Sequence, residues 1–244
     1  MRILEPEAMM SEDQVVAYDL LVKKYFQILH SGFIETIINL SPSQGSFLDV
    51  GTGTGWIAIG VAKYSSEVEV VGVDLSEPML KVAAKNALNE GVGGKTKFIS
   101  GDAKNLPFEN ETFDSVFCHN MLHHVPNPIE MVNEMARVIK KDGAILIRDL
   151  KRLPKLLTEF HVNVLGLPYP KIMKKKYRDS IRAALSESEW NDLFLSINIP
   201  GAKLTKQSIT HFSIVRPSPN KRKDYIKVPA SVFVQPFKSL YVSK

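Results

Sequence analysis

The chain has 244 residues, 44% hydrophobic and 23% charged, with a net charge of +5. That is the composition of a soluble globular protein with enough apolar residues for a full core. No apolar run approaches the ~20 residues that span a bilayer. The acidic start, MRILEPEAMMSEDQ, lacks the apolar segment of a secretory leader. The single cysteine, Cys118, excludes an internal disulfide and fits a reducing cytoplasm. Charge is divided unevenly. Residues 1–150 carry 13 Lys/Arg against 20 Asp/Glu, a net of −7, whereas residues 151–244 carry 18 against 6, a net of +12. The two parts are expected to meet different ligands, unless the basic part serves only solubility.

In chain order, residues 11–40 read as helical. SEDQVVAYDLLVKKYFQIL spaces Val15, Leu20 or Tyr18, Val22 and Phe26 roughly three to four apart, and FIETIINL forms a second helix after Gly32 that stops before Pro42. SFLDVG is a short apolar strand. GWIAIGVAKY is a helix, EVEVVGVDL a strand, and PMLKVAAKNALNEG a helix closed by Gly91. KTKFISGD and FDSVFCHN are the next strands, PIEMVNEMARVIK a helix opened by Pro128, and GAILIRDL a fifth strand. This alternation over residues 46–150 predicts an α/β fold: a doubly wound, mostly parallel sheet with helices on both faces. The pattern then changes. Residues 154–185 read as helical with a Leu-Pro-Tyr-Pro break, Ser186 and Glu189 have capping-box spacing, and GAKLTKQSITHFSIVRP supplies a last pair of strands. From Pro217 the chain reads as an extension, and its SVFVQPF segment suits only an edge strand or docked arm.

The segment LDVGTGTG joins the first strand to its helix. A glycine turn there fits a dinucleotide, whose pyrophosphate sits on backbone amides and a helix N-terminus. It also fits S-adenosylmethionine, which has no phosphate. Asp49, beside the turn, would repel a pyrophosphate but favours the cationic methionine end. Asp74 ends the second strand and suits two ribose hydroxyls under either reading. Asp102 and Ala103, ending the third, favour the second, because they suit the adenine amino group. Leu75, Met79 and Leu106 are placed to pack on the adenine faces.

LDVGTGTGWIAIGVA, GVDLSEPML, GDAKNLPFENETFDSVFCHNMLHHVPNP and ARVIKKDGAILIRDL together resemble the ordered motifs of class I S-adenosylmethionine-dependent methyltransferases. Within the class they look like the branch holding quinone C-methyltransferases and many small-molecule methyltransferases. The resemblance implies Asp49, Gly51, Thr52, Gly53 and Thr54 around the methionine end, Asp74 at the ribose, Asp102 and Ala103 at adenine, and His119 at the end of strand four. The resemblance covers residues 46–150, and the residue pattern around it predicts a single domain over 1–216, with 46–150 as the cofactor-binding half, 154–185 as a helical lid, and an extension over 217–244.

Methyl transfer from a sulfonium is an in-line displacement, and orientation alone contributes roughly 7–11 kcal/mol in favourable cases. A base is required only for a poorly ionised acceptor. His119 is the first candidate, followed by Asp149, Tyr18 and Asp19. Lys151, Arg152 and Lys155, together with Lys171 and Lys174 to Lys176, make the lid basic, so a small acceptor bearing carboxylate or phosphate is expected beside Tyr18, Asp149, Lys151, Arg152 and Lys155. No metal is expected. His119 and His123 are four apart, but His119 lies at a strand end and no nearby Cys or Glu completes a set. Three alternatives stay open: an RNA methyltransferase using the basic C-terminal part, a non-catalytic protein that binds S-adenosylmethionine, and a dehydrogenase.

Overall fold

A computed structural model of the chain describes residues 2–6, 8–23, 27–164, 166–167 and 169–229. The strands are β1 (Gln44–Val50), β2 (Glu67–Asp74), β3 (Thr96–Ser100), β4 (Phe113–His119), β5 (Ile139–Leu150), β6 (Lys203–Lys206) and β7 (His211–Arg216). They form one sheet in the order β3-β2-β1-β4-β5-β7-β6. The first five pair in parallel, and β7 is antiparallel to both β5 and β6. The helices are α1 (Glu12–Leu21), α2 (Gln27–Leu40), α3 (Trp56–Tyr64), α4 (Glu77–Asn89), α5 (Pro128–Val138), α6 (Lys155–Val164), α7 (Lys171–Ala183) and α8 (Glu187–Ser196). Among the described residues, no helix is long and apolar enough to cross a membrane.

Both sheet faces are covered. Met131, Met135 and Trp190 of α5 and α8 pack with Val116 and Ile145 in one core. Phe33, Ile37 and Ile59 of α2 and α3 pack with Phe47, Phe117 and Leu146 in the other. That double burial explains why the central strands read as nearly unbroken apolar runs. Local sequence signals close the helices. Ser76 caps α4 by accepting from the Met79 amide, Pro128 opens α5, and Ser186 and Glu189 form the expected capping box of α8. Connections leave β1 toward β2 on one side and β4 lies on the other, so the crevice at the carboxyl ends of β1 and β4 is the ligand position of an open α/β sheet.

Two expectations need correction. Gly32 does not start a second helix, since α2 runs unbroken from Gln27. A glycine inside a helix costs about 1 kcal/mol, and burial of Phe33, Ile37 and Ile38 offsets it. Strand β5 begins at Ile139, because that residue pairs with Phe113 and the Arg216 guanidinium donates to the carbonyls of Lys140 and Gly143. The described part of the extension lies along α2: Ser218 and Arg222 donate to Leu40, Ser41 and Ile38, while Ile226 and Val228 bond Asn39 and Glu35. The SVFVQPF segment lies outside the described residues.

Candidate active site

The β1–α3 turn is held from below. The amides of Gly51 and Thr52 donate to the Val73 carbonyl at 2.8 and 3.0 Å. Gly51 has φ +73°, and a β-carbon there would stand 2.5 Å from Cγ of Met121. Gly51→Ala is therefore expected to move the turn and weaken cofactor binding at least tenfold while costing roughly 1–3 kcal/mol of stability. Titration calorimetry and thermal melts check both. Gly53 differs: its φ is +55°, yet nothing lies within 4 Å of the point a β-carbon would occupy. Its open face is a cradle where a ligand can approach the backbone.

Carboxylates ring this cradle. Asp49 is 2% exposed, and its Oδ2 accepts from the Thr52 hydroxyl at 2.8 Å. Burial pushes its carboxyl up to about 7, with Asp74 adding repulsion and the Thr52 bond opposing the shift. Asp74 accepts from the amides of Gly53 and Ser76, both at 2.9 Å, which fixes both oxygens at the end of β2. Burial raises its pKa as well. Asp102 accepts from the Lys104 amide and pairs with the Lys104 ammonium at 3.1 Å. Ala103 and Leu106 are buried beside it, and Leu75 and Met79 lie just after the end of β2. Thr54 is buried, its carbonyl accepting from Asn86.

Asn120, directly after β4, escaped the sequence reading. It is held at φ +54°, and its buried Oδ1 lacks a hydrogen-bond partner. A left-handed asparagine with an orphaned acceptor is a strained, unsatisfied position at the mouth of the crevice. The residues present thus fit S-adenosylmethionine: an open backbone cradle at Gly53, a buried carboxyl at Asp49, a fixed carboxylate at the end of β2 and an acceptor awaiting a donor. Only the trend of Asn to tolerate positive φ signals such a residue in a sequence.

The base candidates sort differently from expectation. His119 packs against Phe33 and His30, with centroids 4.6 and 5.6 Å away. Burial, then nearby His30 and Arg148, hold its pKa well below the usual histidine value, so it stays neutral and is a weak base. Asp19 accepts from Trp56 Nε1 at 2.7 Å and Asn86 at 2.9 Å, and so ties α1 to the core. Tyr18 is half-buried, with its phenol pushed up to about 12 by burial and then by Asp74, so it stays protonated. It lines a cavity of about 240 Å³ between α1 and α7, with Gln14, Ala17, Leu21, Ile172 and Lys176. A further cavity, bounded by Pro42, Asp114 and Asn220, lies at the amino-terminal ends of β1 and β4, at the opposite end of the strands from these groups.

Asp149, the second base candidate, lies in the interior. It is buried, and it accepts from the amides of His123 and Leu150 and meets His123 Nδ1 at 2.6 Å. His123 sits in a 3-10 turn, Leu122–His124, after β4. Burial disfavours its charge, but Asp149 outweighs burial and raises its pKa, while the Asp149 carboxyl is held low by the imidazole against its own burial. This buried His–Asp pair was not legible locally, because its members are 26 residues apart on separate elements.

An N-terminal strap crosses these groups. The Arg2 guanidinium donates to the carbonyls of His123, Val125, Pro126 and Ala183, and the Met9 carbonyl accepts from Ser76 Oγ. Between them, Glu5 brings a carboxylate to 4.0 Å from His123 Nε2 and 3.6 Å from His124 Nδ1. The expectation that no acid completes a metal set therefore needs revision: among the described residues, donor atoms of Glu5, His123 and His124 lie within 4.8 Å of one another. If these groups handle protons and not a metal, EDTA leaves methyl transfer unchanged. Loss with EDTA and recovery with a divalent cation would reassign them.

Lys151 and Arg152 do not present free charge. Lys151 pairs with Glu187 at 2.8 Å, and Arg152 pairs with Glu189 at 2.9 Å and donates to the Ala184 carbonyl. Lys155 is exposed at the start of α6. Of the three cations of the expected anion site, Lys151 and Arg152 are thus engaged by carboxylates. Lys176, 5.8 Å from the Tyr18 ring, is the α7 cation that lines the cavity.

A seven-stranded sheet in this order, with carboxylates at the ends of β1 and β2 and just beyond β3 around a glycine cradle, defines a nucleoside-binding methyltransferase architecture. A family model described as a methyltransferase domain matches residues 48–147. The chain is 35% identical over 151 residues to the uncharacterized methyltransferase YcgJ of Bacillus subtilis, covering 60% of this chain and 54% of that one. It is 37% identical over 106 residues to a ubiquinone biosynthesis O-methyltransferase of Aliivibrio fischeri, covering 43% and 44%. The solved structure of BH2331 from Bacillus halodurans, assigned as a methyltransferase, is 30% identical with TM-score 0.51, covering 70% of this chain and 68% of that one. The chain belongs to the S-adenosylmethionine-dependent methyltransferases. It spans about half the length of most of the curated relatives it matches.

Proposed function

We propose that the chain methylates a hydroxyl group of a small acceptor, with His123 as the proton acceptor and Asp149 as its positioning partner. The observation that carries this reading is the 2.6 Å contact between His123 Nδ1 and Asp149 in a buried setting. A carboxylate on Nδ1 fixes the tautomer whose Nε2 takes a proton, and it raises the basicity of the ring. An amine acceptor needs less help, since its free base is already nucleophilic. A hydroxyl must lose its proton as the new bond forms. The relative named for O-methylation in ubiquinone biosynthesis favours the same choice.

S-Adenosylmethionine supplies the methyl group on a sulfonium, displaced in line by the acceptor oxygen. Under this reading Gly51, Thr52, Gly53 and Thr54 hold the methionine end with Asp49, Asp74 holds the ribose, and Asp102 and Ala103 hold adenine. Asn120 Oδ1 accepts from the methionine ammonium. His119 shapes the wall of the site as a neutral ring. Residues 1–216 act as one unit in which α1, α6 and α7 cover the acceptor, with Tyr18 and Lys176 at the entrance. An acidic group on the acceptor would meet Lys176 and not Lys151 or Arg152, whose charges are spent on Glu187 and Glu189.

The test is methyl transfer from labelled cofactor to a panel of small phenols, hydroxy acids, amines and RNA. Label in hydroxyl acceptors with release of S-adenosylhomocysteine is expected. Label confined to RNA or amines would overturn the reading, and cofactor binding without turnover on any acceptor would favour a non-catalytic role.

A further inference from the structure

The α6–α7 hairpin exposes apolar side chains that the methyltransferase reading does not use. On α6, Leu156 is 82% and Phe160 64% exposed, and Leu157 and Val164 are exposed beside them. Positions 156, 160 and 164 are four apart and so stack on one face, with 157 at its border. The other face is already packed, since Val162 is buried with Ile181 and Ala184. The helix is therefore apolar on two sides, one of them covered by nothing among the described residues. The stripe continues into the turn and α7 through Leu167, 70% exposed, and Ile172, 59% exposed.

Cations surround this stripe. Residues 155–183 hold seven Lys/Arg and two Asp/Glu. Both acids are engaged: Glu159 by Arg178 and Arg182, and Asp179 by Lys175. Lys155 and Lys171 are exposed at the ends of the apolar stripe. The charge selects the occupant. A second copy would bring a cationic hairpin against a cationic hairpin. RNA would meet the charge but leave four aliphatic side chains of α6 and the turn without a partner, and it prefers aromatic platforms. A surface that is anionic outside and apolar beneath satisfies both features.

We propose that the α6–α7 hairpin docks on an anionic lipid bilayer, with Leu156, Leu157, Phe160, Val164 and Leu167 entering the interface and Lys155, Lys171 and Lys174 meeting lipid phosphates. The docking is peripheral. It stands apart from the identity of the methyl acceptor, but it sets the cavity wall made by Ile172 and Lys176 beside the lipid surface.

The test is co-sedimentation of the full chain with vesicles of phosphatidylcholine alone and of phosphatidylcholine mixed with phosphatidylglycerol. Binding is expected only to the anionic vesicles and should weaken as salt rises. The double variant Leu156→Ser, Phe160→Ser and the double variant Lys171→Glu, Lys174→Glu should each lower partitioning by roughly tenfold or more. Cofactor affinity reports that each variant is folded. Amide exchange on the unaltered chain gives a readout free of mutation: vesicles should slow exchange in 155–164. Equal binding by the variants, no preference for anionic lipid, or unchanged exchange would each overturn the proposal. So would a dimer that the Leu156→Ser, Phe160→Ser variant dissociates while neither form binds vesicles, and so would binding to RNA in place of vesicles.

Discussion

His123→Gln is expected to lower turnover on a hydroxyl acceptor by roughly 10²–10⁴-fold, the usual contribution of a positioned general base. Cofactor affinity should change little, because the residues proposed to hold S-adenosylmethionine lie on β1, the β1–α3 turn, β2, the β3–β4 loop and the residue after β4. The amides of His123 and Leu150 still donate to Asp149 in the variant, so its carboxylate keeps two of its three hydrogen-bond partners. Asp149→Asn acts through the imidazole. It removes the charge that raises the His123 pKa and the acceptor that fixes its tautomer. Its activity should fall between wild type and His123→Gln. A turnover loss with unchanged acceptor KM separates this role from a packing defect. The same pair makes a two-sided contribution to stability. The raised His123 pKa stabilises the fold below the ordinary histidine value and is lost as pH rises through the folded value, while the lowered Asp149 pKa stabilises above the ordinary aspartate value and is lost as pH falls through the folded one.

Asp49→Asn is expected to trade cofactor affinity for stability. The Asp49 carboxyl titrates near 7 in the fold instead of near 3.8. A raised acid pKa contributes stability below the unfolded value, and that contribution disappears as pH rises through about 7. Above pH 7 the ligand-free fold therefore carries a buried anion that the amide variant lacks. Asp49→Asn should raise the melting temperature of the ligand-free protein at alkaline pH, where the wild-type fold carries that anion. It should weaken S-adenosylmethionine binding roughly 10–100-fold, the value of a hydrogen bond to a charged group. Wild-type affinity should rise with pH through about 7, and the variant should lose that dependence. A variant that binds the cofactor as tightly as wild type and is no more stable would show that Asp49 faces no cation.

Much of the framework was written locally. The alternation of apolar strands with helices predicted the parallel sheet, and the positions of Asp49, Asp74 and Asp102 at or beside strand ends followed from strand length alone. The capping box at Ser186 and Glu189 needed only its spacing. What escaped depends on contacts between distant segments. Glu5 reaches His124 across 119 positions and Arg2 reaches Ala183 across 181, and no periodicity encodes either meeting. Lys151 and Arg152 read as ligand cations because their partners, Glu187 and Glu189, come from a helix 36 and 37 residues later. His119 drew attention by its place at a strand end, whereas its electrostatics are set by Phe33, His30 and Arg148 from other elements. Gly32 read as a break because its cost is local and the packing that offsets it is not.

The most direct test of the proposed site is the pH profile of kcat/KM for an active hydroxyl acceptor, measured in parallel for wild type and Asp149→Asn. Wild-type kcat/KM is expected to rise with pH through a pKa above the usual histidine value, because His123 must be neutral to take the proton. Asp149→Asn should move this rise to lower pH and lower its plateau. A wild-type profile without that rise, or one that Asp149→Asn leaves in place, would contradict a His123–Asp149 base.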